Sequence, residues 1–186
     1  MTIELVSFAD LKTILSLEKS AIGDYPDLML LRDSVTYAIE SYLSRSLESN
    51  TYTETLYQDR AAHMISLKAI PLSSVTSVTV TQAGVDTVLD SDSYEITDYG
   101  ILIDAETDTE RCKIVTVYAG GYLAANVSPI IKRAALLQTA FEYQSKDNIG
   151  AEFVSNSGGS TQKPELGLLA EVQRLLSPFK HPLSWV

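Results

Sequence analysis

Lys113-Ile-Val-Thr-Val-Tyr-Ala-Gly-Gly-Tyr122, followed after a short loop by Ser128-Pro129 and an apolar run, decides the fold. Ile114, Thr116 and Tyr118 alternate with Val115, Val117 and Ala119, and a β-branched run of this kind predicts a strand buried on at least one face. Gly120 and Gly121 supply the backbone freedom for a sharp change of direction. Ser128 before Pro129 then starts a helix, since the hydroxyl caps free N–H groups and proline suits the first turn. Spacing of i, i+4, i+7 and i+11 puts Ile130, Ala134, Leu137 and Phe141 on its core stripe, with Lys132, Arg133, Gln138 and Glu142 on other faces. Strand, double glycine and helix are therefore the joint between a β part and an α part.

Upstream, Ser7 with Asp10 three residues on is a capping arrangement, and Phe8, Leu11, Ile14 and Leu15 predict a short amphipathic helix ending near Gly23. A longer helix opens at Asp24-Tyr-Pro26 and carries Leu28, Leu31, Val35, Ala38, Ile39, Tyr42 and Leu43 as far as about Leu47. From Thr51 to Tyr118 the period shortens to two. Strands are predicted around 54–58, 64–67, 75–81, 94–97 and 101–103, besides the one quoted first, with breaks at Pro71, Gly84, Asp90-Ser-Asp-Ser93 and Gly100. Downstream, Ser155-Asn-Ser-Gly-Gly-Ser-Thr161 reads as a mobile polar loop. Pro164, Leu166, Leu169, Val172 and Leu176 predict a last helix closed by Ser177-Pro178.

The fold class is thus α+β: a small bundle of about four helices, with an antiparallel β subdomain inserted between the second and third. The expected organisation is N-terminal helices over 1–50, the β subdomain over 51–122, C-terminal helices over 123–177 with a mobile loop near 147–162, and an apolar tail over 178–186.

Composition narrows the function. A net charge of -10 opposes general binding to nucleic acid, which depends on cations neutralising phosphates. Between Asp86 and Glu110 stand nine acidic residues and no basic one: Asp86, Asp90, Asp92, Glu95, Asp98, Asp104, Glu106, Asp108 and Glu110. They predict a negative rim on the β part. The single cysteine, Cys112, forms no internal disulfide, and with two histidines it is too little for a zinc site. No apolar run approaches the roughly 20 residues that span a bilayer, and the start lacks the basic residues of a signal peptide, so a protein that stays in a cytoplasm, or in something assembled there, is expected.

Asp104, Glu106 and Asp108 have the opening spacing of a calcium loop, but Thr109 replaces its glycine and Val115 its bidentate glutamate, so a solvated hairpin tip is the better reading. Gly158-Gly159 lacks the Gly-Lys-Ser/Thr of a phosphate cradle. His63 and His181 lie far apart with no nucleophile context, and Lys132-Arg133 is either a solvated helix face or a contact for an acidic neighbour. No catalytic residue, metal site or cofactor is expected. The tail Phe179-Lys-His-Pro-Leu-Ser-Trp-Val186 is unusually apolar for a terminus and holds the single tryptophan, which points to burial on this chain's core or on a partner.

The order of these signals resembles the head-tail connector (adaptor) proteins of tailed bacteriophages. The stretches that carry the resemblance are Ser44-Arg-Ser-Leu47, Leu67-Lys-Ala-Ile-Pro-Leu72, Val75-Thr-Ser-Val-Thr-Val80, Tyr94 near Gly100-Ile, Val117-Tyr-Ala-Gly-Gly-Tyr122 and Pro129-Ile-Ile-Lys, with an echo at Leu175-Leu-Ser-Pro-Phe179. The resemblance implies a structural virion protein without catalysis, forming a ring, commonly of twelve copies, beneath the portal at the DNA-exit vertex, and present in the host cytoplasm during assembly. It implies as partners other copies of the chain, the portal and head- or tail-completion proteins, with genomic DNA passing through unread and no membrane. Phe179, His181, Pro182, Leu183, Trp185 and Val186 would meet the portal. Asp86, Asp90, Asp92, Asp104, Glu106, Asp108 and Glu110 would face the DNA channel or the tail. The alternative is another completion or tail-terminator subunit of the same neck.

Overall fold

The computed structural model describes residues 3–18, 23, 25–58, 64–103, 112–146, 153–156, 159–162 and 167–181. Their order is four helices, with seven strands between the second and third and a strand pair before the fourth, which is the α+β arrangement read from the sequence. By contacts the chain divides into a unit of Met1–Leu43 with Val127–Lys180 and a unit of Ser44–Asn126 with His181–Val186.

In the helical unit, the Ser7 hydroxyl accepts from the Asp10 amide, and α1 (Phe8–Leu15) follows. It stops well before Gly23, because Ser16 turns left-handed at φ 53° and bonds back to the Lys12 carbonyl. Helix α2 (Pro26–Leu43) buries Leu28, Val35, Ile39 and Leu43. It ends short of Leu47, since Ser44 takes φ 54°, a conformation that terminates helices.

Helix α3 (Pro129–Ser145) starts at the expected cap, the Ser128 hydroxyl accepting from the Ile130 amide. Its buried face is turned from the expected one. Ile131, Ala134, Ala135, Gln138, Thr139 and Ala140 are inside, while Ile130 is 44% exposed. Gln138 explains the rotation: its Oε1 accepts from the Leu169 amide at 2.9 Å and its Nε2 donates to the Gly167 carbonyl at 3.2 Å. A buried amide so satisfied costs little, and it binds the chain that leads into α4 (Ala170–Leu176). That helix begins later than its apolar stripe suggests, and Pro164 and Leu166 lie outside the described residues. Helix α3 packs on α1, α2 and α4 and so forms the middle of this unit.

The β unit holds β1 (Asn50–Gln58), β2 (Met64–Ser66), β3 (Leu72–Gln82), β4 (Val85–Val88), β5 (Tyr94–Thr97), β6 (Gly100–Ile103) and β7 (Cys112–Gly120). They form two antiparallel sheets, β1-β7-β3-β4 and β2-β6-β5. Strand β7 lies between two partners, and its residues Cys112, Ile114, Thr116, Tyr118 and Gly120 all face inward. They join Ile65, Leu67, Val78, Val80, Ile101 and Ile103 in one core cluster, except for Thr116 and Gly120. Strand β4 is fully exposed, so it lacks the hydrophobic signal that marks the others.

Within the stretch expected as a mobile loop, β8 (Phe153–Asn156) and β9 (Gly159–Gln162) pair antiparallel. Among the described residues no helix is long and apolar enough to cross a membrane.

Candidate functional site

Of the expected acidic rim, Asp86, Asp90, Asp92, Glu95 and Asp98 are described, and all five are exposed on β4, β5 and the turns beside them. Asp86 accepts from the Thr81 hydroxyl at 2.6 Å. Exposed Val85, Val88, Ile96 and Tyr99 are interspersed with these carboxylates. Asp104, Glu106, Asp108 and Glu110, and with them the calcium-like spacing, lie outside the described residues.

The tail divides in a way the sequence did not reveal. Phe179 is half-buried in a 3-10 turn over Ser177–Phe179. The Lys180 ammonium sits 4.0 Å from the Tyr42 ring centre, and the Tyr42 hydroxyl donates to the Gln173 carbonyl. His181 is only 5% exposed and belongs to the β unit. Its Nε2 lies 3.1 Å from the Leu67 carbonyl and 3.1 Å from the Ser66 hydroxyl. A carbonyl only accepts, so Nε2 carries the proton in the neutral ring. His181 is thus engaged with its own chain, and Pro182, Leu183, Trp185 and Val186 lie outside the described residues.

Burial lowers the His181 pKa below its ordinary 6.5; the Leu67 carbonyl opposes this, the charge of Arg45 adds to it, and Glu54 opposes it. An unfolded chain takes up a proton here near pH 6.5 that the folded chain resists, so this contribution to stability is lost as pH falls below 6.5. In denaturant melts between about pH 7 and pH 5, His181→Gln should therefore lose less stability on acidification than the unaltered chain. Equal acid sensitivity of the two would remove His181 as the cause.

Arg45, Glu54, Tyr118, Tyr122 and His181 form a polar group in the β unit that the sequence did not disclose. The Tyr118 hydroxyl donates to the Glu54 carboxylate and accepts from the Ala69 amide. Glu54 also accepts from the Lys68 amide at 3.0 Å. Arg45 is 9% exposed, with its guanidinium 5.5 Å from the Tyr122 ring centre. Its position follows from the backbone after Ser44: the Ser46 amide donates to the Lys68 carbonyl, the Tyr122 amide to the Leu47 carbonyl and the Ser49 amide to the Tyr122 carbonyl. Residues 45–49 are thereby held beside the double glycine. A lone arginine at the end of a predicted helix carries no signal of this burial.

In the helical unit, an open apolar groove of about 270 Å³ is lined by Ile14, Leu137, Phe141, Leu169 and Val172, with Glu171 at its side. Among the described residues no group of three or more His, Cys, Asp or Glu is placed to hold a metal ion. Cys112 is buried as a small strand residue. Arg133 is exposed and Lys132 partly so.

The fold is similar to that of chains in three solved assemblies. One is the neck of an empty GTA particle computed with C6 symmetry, with a TM-score of 0.58 at 17% identity over 92% of this chain and 87% of that one. Another is the neck of a native GTA particle computed with C12 symmetry, with a TM-score of 0.57 at 17% identity over 92% and 86%. The third is the virion of a native gene transfer agent (GTA) particle, with a TM-score of 0.56 at 18% identity over 92% and 87%. No curated protein sequence gives a significant match. The family model described as head completion protein matches residues 4–180, nearly the whole chain, and the chain belongs to that family.

Proposed function

We propose that the chain is a structural, non-catalytic head-tail connector of the virion neck, an adaptor that forms a ring beneath the portal and offers the tail its attachment platform. The observation that carries this reading is membership of the head completion protein family across residues 4–180. Similarity of fold to chains in particle necks computed with C6 and C12 symmetry supports a ring, with twelve copies as the proposed number. Exposed carboxylates at Asp86, Asp90, Asp92, Glu95 and Asp98, on a chain of net charge -10, suit a surface past which DNA slides. Like charge repels phosphate, whereas a basic lining would grip it. A position on the filled head before tails join is preferred over a tail-terminator role, because the family is described by head completion.

The apolar residues Phe179, Pro182, Leu183, Trp185 and Val186 are the proposed contact with the portal. Because His181 is built into the β unit, a cut after His181 tests Pro182, Leu183, Trp185 and Val186 without removing it. A chain ending at His181 should melt like the full chain yet fail to cosediment with portal-bearing heads. Full association by the shortened chain would remove residues 182–186 from the contact. Electron microscopy of filled, tailless heads should show the protein as a ring under the portal, and its absence there would transfer the role to the tail.

A further inference from the structure

We propose that copies of this chain join through two outward strips of the helical unit, Leu30-Asp33-Tyr37 on α2 of one copy seating against Ile130-Arg133-Leu137 and the apolar groove of the next. On α2, Leu30 is 72% and Tyr37 74% exposed, and Asp33 is exposed between them. On α3, Ile130 and Arg133 are exposed and Leu137 is half-buried. Positions i, i+3 and i+7 lie on one side of a helix, over about 10 Å of its length. The two strips therefore share one spacing and one pattern, apolar, charged, apolar. Their central charges are opposite.

Helix α3 is apolar on two sides. Its inner side is fixed by Gln138, so Ile130, Leu137 and Phe141, the stripe that periodicity assigns to the core, are left outward. Leu137 and Phe141 open into the groove together with Ile14 and Leu169. A second apolar side of this kind is covered by a partner. Both central charges are available to one. Arg133 has no partner among the described residues, and Asp33 accepts from the Arg32 Nε at 3.1 Å through Oδ1 alone, which leaves its other oxygen. The groove is lined from α1, α3 and α4 and takes no residue of α2, so the two strips are different surfaces of one unit. Contact between unlike surfaces of identical copies is head-to-tail, the type that closes into rings. The exposed Tyr37 adds an amphipathic anchor of the kind enriched at interfaces.

The choice of a second copy as occupant rests on the ring reading, and the experiment separates the two. Self-association of the full-length chain is followed by sedimentation velocity, and the number of copies on portal-bearing heads by cosedimentation. Arg133→Asp and Asp33→Arg should each melt like the unaltered chain, because both positions are exposed. Each alone should weaken self-association about tenfold or more, since like charges then meet across the contact. Mixed in equal amounts, the two should recover it, because alternating copies place unlike charges at every contact. Leu30→Ser should weaken association without lowering the melt. Unchanged association in all three variants, or weakening without recovery on mixing, would overturn the contact and leave the ring. Weakening in the chain that ends at His181, but in neither charge variant, would give the groove to the tail. Recovery as closed dimers that add no ring to heads would overturn the ring reading while the contact stands. An unaltered chain that stays single, free and on heads alike, would overturn both.

Discussion

Gly121→Ala is expected to destabilise the protein by about 3 kcal/mol or more, because two penalties fall on one residue. Gly121 has φ 96°, a backbone region that side chains with a Cβ rarely adopt. A Cβ there would also overlap the Glu48 carbonyl oxygen and come within 2.9 Å of the Ser49 nitrogen. These neighbours are backbone and cannot rotate aside. They are held by the Tyr122 amide at 2.7 Å from the Leu47 carbonyl, the Ser49 amide at 3.0 Å from the Tyr122 carbonyl, and the Gly121 amide at 3.0 Å from the Pro71 carbonyl. Gly84→Ala is the control, with φ 80° and no atom within 4 Å of the added carbon. It should cost only about 1 kcal/mol, the backbone share alone. Urea melts of the two variants decide the matter: equal losses would mean that residues 47–49 do not press against the turn.

Tyr118→Phe should cost about 2–3 kcal/mol, since it deletes one oxygen and leaves the buried Ala69 amide and the half-buried Glu54 carboxylate each a partner short. Tyr118 is fully buried, and its ring lies 5.8 Å from that of Tyr52, so packing is unchanged by the substitution. What is lost is the acceptor of the Ala69 amide and a donor to Glu54. A double-mutant cycle with Glu54→Gln should show a coupling of about 1 kcal/mol or more, and additive losses would break the assigned pair. Burial first, then the bond to Glu54, raises the Tyr118 pKa well above 10.0. Above that pH an unfolded tyrosine ionises while the folded one holds its proton, so stability falls as pH rises. Tyr118→Phe removes that share of the alkaline loss.

Where one physical cause governed a segment, the sequence was enough. Alternation along β7 marked its buried face, the Ser7 and Ser128 caps marked two helix starts, and the change of period marked the β insertion. Reading was less accurate where a second cause competed. Ser16 and Ser44 end their helices in left-handed conformations that hydrophobic spacing does not encode. Gln138 turns α3 because its amide finds two backbone partners brought in from residues 167 and 169. Strand β4 has no buried face to alternate. Arg45 and His181 were the least legible, because their burial depends on which segments meet, and a charged or polar residue reads as surface until its partners are known.

The division of the chain also bears on its synthesis. The β unit is continuous from Ser44 to Asn126 apart from its final contribution at His181, whereas the helical unit combines residues before 44 with residues up to 180. A nascent chain emerging N-terminus first can close the sheets early, but α1 and α2 must wait for α3 and α4 to leave the ribosome. His181 then reaches its place among Ser66 and Leu67 after both units have been translated, which makes it a late marker of a finished subunit.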